Sequence, residues 1–177
     1  MLRASTPANR GLLSLLSPPY KRLATIVLSV CALTADTASG DSTMPMDTGG
    51  AWVYTLEADY EDVRDGLVEA IEGRGMVLSY ISEAEAMLSR TADTVGAPRV
   101  YTAAQVLMFC KTDLAHALVG ESPHNLVLCP YSIAVYQLDK NPNTVYVGIR
   151  RPEPEVRAYA AIHQMLTDIV LQAIRDQ

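Results

Sequence analysis

Cys110 and Cys129 are the residues of this chain best suited to covalent chemistry. The third cysteine, Cys31, falls in an N-terminal leader described below, so a mature chain keeps only the pair. In an oxidising compartment an even pair of thiols most simply forms a disulfide. Such a bridge closes a loop of about 20 residues and contributes roughly 3 kcal/mol in the chain-entropy account. A redox dithiol is the functional rival. Redox pairs usually stand two residues apart at a helix N-terminus, where the dipole lowers one thiol pKa; these two are 19 apart. A metal site is the third option, with His116 and His124 added to the two sulfurs as a four-ligand zinc or copper set. The spacing follows no standard signature, and surface histidines are the simpler reading. No cofactor is called for.

Nucleophilic hydrolysis needs a serine or cysteine with a base and an orienting acid. Ser122, His124 and Asp113 lie in one region, but no nucleophile elbow surrounds Ser122, and Pro123 marks a plain turn. The pairs Glu83/Glu85 and Glu153/Glu155 have the positions of helix-start charges rather than of a paired-carboxylate site. His163 stands amid apolar neighbours and reads as a partly buried, hydrogen-bonded core histidine. Met44 and Met46 have no nearby His or Cys to complete a copper site. The tyrosines are the remaining candidates. Tyr131 and Tyr136 fall on one expected strand and Tyr146 on the next. Tyr131 and Tyr136 have opposite parity, so they point to opposite faces of a sheet. One face packs on helices, and the other can offer tyrosine to a ligand or a second subunit. Core packing with the hydroxyl reaching solvent is the simpler reading. A ligand site, on this reading, draws on Tyr131, Tyr136, Tyr146, His116 and His124.

The elements that must position these residues are legible from periodicity. Trp52 to Leu56 is β-rich and reads as a first strand. Asp59 is an expected N-cap, with Glu61 and Asp62 favoured by the dipole in the first turn. Val63, Leu67, Ala70 and Ile71 then recur at helical spacing until Gly73 and Gly75. Met76–Ile81 is a second strand. Ser82–Leu88 is a short helix with a Ser82/Glu85 capping box. Thr91–Pro98 reads as loop. Ala103–Cys110 is an apolar run and reads as a buried third strand. Asp113–Val119 is a short helix broken by Gly120. Tyr131–Leu138 and Thr144–Ile149 are strands four and five, joined by Asp139–Asn143. A long helix follows Pro152 and Pro154 over 154–176, its apolar face made by Ile162, Leu166, Ile169 and Ala173.

The fold class this predicts is α+β. A single domain over 51–177 has a mainly antiparallel sheet of about five strands, helices on one face and a long C-terminal helix. Residues 41–50 are small and polar and read as a flexible lead-in.

Residues 1–40 read as a leader. Lys21-Arg22 precede an apolar stretch from Leu23 to Leu33, and Ala38-Ser39-Gly40 offers small residues to a signal peptidase. An uncleaved anchor or a lipidated Cys31 are the alternatives. The net charge of the whole chain is −6. Removing the leader's four basic residues and one acid leaves −9 on residues 41–177. A domain that acidic repels phosphate backbones and anionic lipid, which excludes nucleic acid and polybasic membrane docking. No stable membrane insertion is expected after cleavage.

The element order resembles the domain-of-unknown-function 302 family. The resemblance is carried by Gly75-Met76, the run Gln105–Cys110, Leu128-Cys129-Pro130-Tyr131 before Ile133–Tyr136, and Val145–Gly148 in the closing hairpin. It covers roughly 52–151. The commoner family pattern has Asn-Pro after the third strand and Leu-Pro before the fourth. Cys110-Lys111-Thr112 and Cys129-Pro130 stand there here, which resembles an exported, two-cysteine branch. The resemblance implies a compact α+β domain, often dimeric, with no agreed reaction and a periplasmic setting; for this chain a dimer through the sheet is expected. The expected function is an exported accessory or binding protein, non-enzymatic, holding a small ligand or an envelope partner. A redox or metal-handling protein using Cys110 and Cys129 is second, and a small hydrolase third.

Overall fold

The computed structural model describes residues 43–177. The leader, its cleavage point, and the anchor and lipid alternatives fall on residues 1–40 and lie outside the described residues.

Six strands and four α-helices make an α+β domain. In chain order they are β1 (Met46–Asp47), β2 (Ala51–Leu56), α1 (Tyr60–Glu72), β3 (Leu78–Glu83), α2 (Ala84–Val95), β4 (Tyr101–Phe109), α3 (Thr112–Glu121), a 3-10 helix (Pro123–Leu128), β5 (Tyr131–Leu138), β6 (Asn141–Arg150) and α4 (Tyr159–Arg175). One sheet runs β1-β2-β6-β5-β4-β3, and every neighbouring pair is antiparallel.

The core lies between this sheet and the pair α1 and α4. From α1 it takes Val63, Leu67, Ala70 and Ile71, and from α4 Ile162, Leu166, Ile169, Val170 and Ala173. From the sheet it takes alternate residues: Tyr54 and Leu56, Leu107 and Phe109, Tyr131, Ile133 and Val135, and Val145, Val147 and Ile149. Burying one such leucine or isoleucine fully stabilises by about 1.5–3 kcal/mol. The helix cap expected at Asp59 is present: its Oδ1 accepts from the N–H of Glu61 at 2.9 Å and of Asp62 at 3.4 Å.

Several boundaries differ from the sequence reading, each for a local reason. The sheet has six strands, not five, because part of the expected flexible lead-in folds back as β1. Its turn is closed by Asp47 and Thr48 side chains. Asp47 Oδ1 accepts from Gly49 N–H at 2.8 Å, and the Thr48 hydroxyl donates to Ala51 O at 3.1 Å. Gly49 takes φ +86°, a conformation that favours glycine. Arg151 then ties the turn to the sheet's end by reaching Asp47 at 3.1 Å and Gly49 O at 3.3 Å.

The expected Ser82/Glu85 capping box is not made. Ser82 and Glu83 stay in β3 opposite Val106 and Gln105, and Gln105 donates to the Glu83 carboxylate at 2.9 and 3.0 Å. α2 runs on to Val95 rather than stopping at Leu88. Ser89 and Thr91, which could have broken it, turn their hydroxyls back onto Glu85 and onto the Met87 and Leu88 carbonyls. β4 is buried on one side rather than both, and α3 continues through Gly120 to Glu121.

The C-terminal helix begins at Tyr159, five residues later than expected. Residues 153–158 instead form successive turns, with Val156 N–H on Glu153 O and Tyr159 N–H on Val156 O. The start of α4 is capped from outside the element. The carboxylate of Glu121, at the end of α3, accepts from Arg157 N–H at 3.1 Å and Ala158 N–H at 2.7 Å. Backbone donors at a helix start have no partner within the helix, so this borrowed carboxylate satisfies them and complements the dipole.

His163 is 7% exposed, and its ring meets Trp52 edge-on at 4.6 Å. Its Nε2 finds no hydrogen-bond partner among the described residues, contrary to the expected hydrogen-bonded histidine. Burial pushes its pKa below the ordinary 6.5.

Two predictions follow from these contacts. Glu121→Ala should lower stability by about 0.5–2 kcal/mol, the usual worth of a helix cap. Denaturant titration measures it, and an unchanged midpoint would remove the capping role. For His163, the unfolded chain binds more protons than the folded one just below pH 6.5. Stability is therefore full above that pH and falls as pH drops toward the lower folded value. His163→Phe should lose this component, making its stability profile flatter by up to about 1.4 kcal/mol per pH unit in that window. Parallel profiles for wild type and variant would refute it.

Candidate functional site

The structure brings two groups of candidates together, in different places. The first is the cysteine pair. Phe109 faces Tyr131 across the β4–β5 ladder, so the residue after Phe109 and the residue two before Tyr131 meet at one end of the sheet. These are Cys110 and Cys129. Both are half-buried free thiols in this structure. Burial first, then the hydrogen bond and charge of Cys110, push the Cys129 thiol up to about 11.

Tyr131 stands beside them on the helix-covered side of the sheet. It is 2% exposed, and its ring meets Phe109 edge-on at 6.3 Å. Its hydroxyl has no hydrogen-bond partner among the described residues. Its ionisation is held back by burial, then by the charges of Cys129 and Cys110. A shallow hollow of about 470 Å³ opens at Cys110, with Arg74, Met76, Ser79, Lys111 and Asp113 around it. Lys111 Nζ holds the Asp113 carboxylate at 2.6 and 2.8 Å. That bond, before all else, keeps the Asp113 pKa below its ordinary value.

The second group lies on the sheet face away from α1 and α4. Tyr136 and Tyr146 are cross-strand partners, stacked at 5.3 Å with their planes 13° apart. Tyr101 meets Tyr136 edge-on at 5.6 Å. Parity alone would send Tyr101 to the core side with Ala103 and Leu107. A β-bulge between Tyr101 and Ala103 reverses it and aims the ring outward. Asn141 donates to the Tyr146 hydroxyl at 3.1 Å. Burial, then the charges of Tyr101 and Tyr146, raises the Tyr136 pKa.

Next to this stack the face forms an open hollow of about 950 Å³. Its lining includes Val53, Ser132, Ala134, Tyr136 and Gly148, with Arg150, Arg151 and Glu153 at the end of β6 and beyond. A Cβ at Gly148 would stand 3.9 Å from the Tyr136 ring and from Val53, so glycine keeps the hollow deep there. Arg150 pairs with Glu153 at 3.5 Å.

The expected ligand set is therefore divided. Tyr136 and Tyr146 share the open face, whereas Tyr131 is under the helices with the cysteines. His116 and His124 are both exposed. No group of three or more His, Cys, Asp or Glu side chains that could hold a metal occurs among the described residues. The four-ligand alternative at Cys110, His116, His124 and Cys129 is thus not assembled. The hydrolase alternative fares no better. The Ser122 hydroxyl accepts from the His124 backbone N–H at 3.4 Å, and Asp113 is bound to Lys111.

The sequence reading missed Tyr101, because it began the third strand at Ala103. The β-favouring run Val100-Tyr101-Thr102 was the available signal. It also missed Arg150 and Arg151, which no motif marks.

Comparison with known proteins supports the fold. The profile of the Domain of unknown function DUF302 family matches residues 52–177, which takes in α4 as well as the 52–151 core of the resemblance. A crystal structure of an uncharacterized conserved DUF302 protein from Bacillus stearothermophilus superposes with a TM-score of 0.57 at 15% identity. The superposition covers 70% of this chain and 97% of that one. No curated protein matches the chain.

The Tyr136–Tyr146 stack yields a further prediction. A double-mutant cycle with Tyr136→Leu and Tyr146→Leu should show a coupling of about 0.5–1.5 kcal/mol in stability. Coupling indistinguishable from zero would mean that the rings are neighbours without mutual stabilisation.

Proposed function

The chain belongs to the DUF302 family, and on that premise we propose that it is an exported, non-enzymatic accessory protein of the periplasm that binds through its open sheet face. One observation carries the reading. The side of the sheet away from α1 and α4 presents a hollow of about 950 Å³ beside three clustered tyrosines. Tyrosine supplies a large, rigid contact area with a polar tip, which suits a surface that must be both wet and sticky. The floor of small residues lets a partner approach the backbone closely.

The occupant we assign to this face is a second copy of the chain. The domain is strongly acidic, yet the rim of the hollow carries Arg150 and Arg151 together with Glu153 and, through its pair with Arg151, Asp47. A patch holding both signs can complement itself across a two-fold axis, where residue i meets j and j meets i. A patch of one sign would repel its copy. A small ligand or an envelope partner would use the same surface in the absence of the dimer. Export rests on the leader's basic, apolar and small-residue order. In that compartment the two cysteines are placed to close a bridge worth roughly 3 kcal/mol.

Two measurements test this. Expressed in a bacterial host, the chain should appear in the periplasmic fraction with its N-terminus near Asp41. Recovery in the cytoplasm with the leader intact would end the export reading. By sedimentation equilibrium the mature protein should be dimeric, and Ala134→Arg should be monomeric with an unchanged circular-dichroism spectrum. A wild-type monomer, or a variant that still dimerises, would remove the second copy from the open face.

A further inference from the structure

We propose that Cys110 and Cys129 are an exchanging thiol–disulfide couple, with Cys110 the attacking sulfur and a small peptide disulfide as its substrate. This goes beyond a static bridge, and it uses one end of the β4–β5 ladder, lined by none of the residues of the binding face. Four observations converge on it. The β4–β5 register carries both thiols to the same end of the sheet, so they can join without rearranging the strands. They differ in access: Cys110 lines the hollow of about 470 Å³, and Cys129 is not among the residues lining it. Burial first, and then its neighbour, hold the proton on Cys129, which suits it to the second step. The Tyr131 hydroxyl, buried and unpartnered, is a spare donor beside the pair for whichever sulfur becomes anionic.

The surroundings of Cys110 suit the attacking role. It directly precedes Lys111, the N-cap of α3, which supplies no capping side chain. Partial positive charge at a helix start favours an anionic ligand group there. Arg74 and Lys111 add positive charge to the hollow against the single Asp113, which Lys111 already holds. That balance favours a ligand carrying carboxylates, as a short peptide thiol does.

The exchange has two steps. The Cys110 thiolate attacks one sulfur of the substrate disulfide, R–S–S–R. The S–S bond breaks, a mixed disulfide forms, and R–S⁻ leaves to take up a proton from solvent. Cys129 then gives its proton to solvent, and its sulfur attacks Cys110 Sγ. The Cys110–Cys129 bond forms and the second R–S⁻ departs to be protonated. The protein is oxidised by two electrons, and the small disulfide is reduced to two thiols. Run backwards, the same steps deliver oxidising equivalents to a thiol.

Glutathione and its disulfide serve as the probe. The reduced mature protein is equilibrated across ratios of the two, quenched in acid and weighed by intact mass. The oxidised fraction should move from nearly none to nearly complete within the glutathione range, and reverse when the ratio is reversed. Cys129→Ser should accumulate a glutathione adduct on Cys110, and Cys110→Ser should take up none under the same conditions. Alkylation of the reduced wild type, mapped by peptide, needs no variant. Cys110 should react about tenfold faster than Cys129, since Cys110 opens to the hollow and burial holds the proton on Cys129. A bridge that resists the whole range, thiols that never oxidise, or an adduct and alkylation preference for Cys129 would each overturn the proposal.

Discussion

Phe109 faces Tyr131 across the β4–β5 ladder, and this register governs both candidate sites. With it in place, Leu107 and Phe109 point with Tyr131, Ile133 and Val135 into the layer beneath α1 and α4. Ser132, Ala134 and Tyr136 then have no choice but the other side. The same register carries Cys110 and Cys129 past the last rung to one another. Side-chain direction alternates with a period of two, so a slip of one residue would exchange the faces. The apolar core prevents that slip: Ile133 and Val135, both fully buried, cannot be turned to water without losing several kcal/mol.

Two chemistries are thereby kept apart on one scaffold. The thiol pair sits at one end of the β4–β5 ladder, beside a phenol that finds no hydrogen-bond partner among the described residues. The open face offers rings, small residues and a rim of mixed charge. Neither depends on the other's side chains, yet both depend on β5, which gives Tyr131 to one and Tyr136 to the other.

Most of the frame was legible in the sequence, because it follows from spacing. Val63, Leu67, Ala70 and Ile71 announce α1, and the opposite parity of Tyr131 and Tyr136 announces their two faces. The neighbourhood of Cys110 and Cys129 was readable too, given that strands three and four pair antiparallel. What escaped was set by contacts between distant residues or by a break in period. Glu121 caps a helix 36 residues further on, which no local signal encodes. Tyr101 reaches the open face only because a bulge spends one extra residue. Ser82 and Glu85 have a capping-box pattern, but cross-strand pairing with Val106 and Gln105 holds the chain extended. His116 and His124 share a loop with the cysteines in sequence, and the fold nevertheless leaves both in solvent.

The carboxylate of Glu121 has a mechanical meaning beyond its worth as a cap. The chain between the two cysteines is tethered at both ends by the β4–β5 ladder, and near its middle by Glu121 to the two residues that lead into α4. α3 therefore cannot peel away alone; releasing it uncovers the amides of Arg157 and Ala158 at the same moment. The loop and the start of the C-terminal helix form one cooperative opening unit. Exchange of those two amides with solvent would then report on how freely the cysteine-bearing loop breathes, from a place well outside it in sequence.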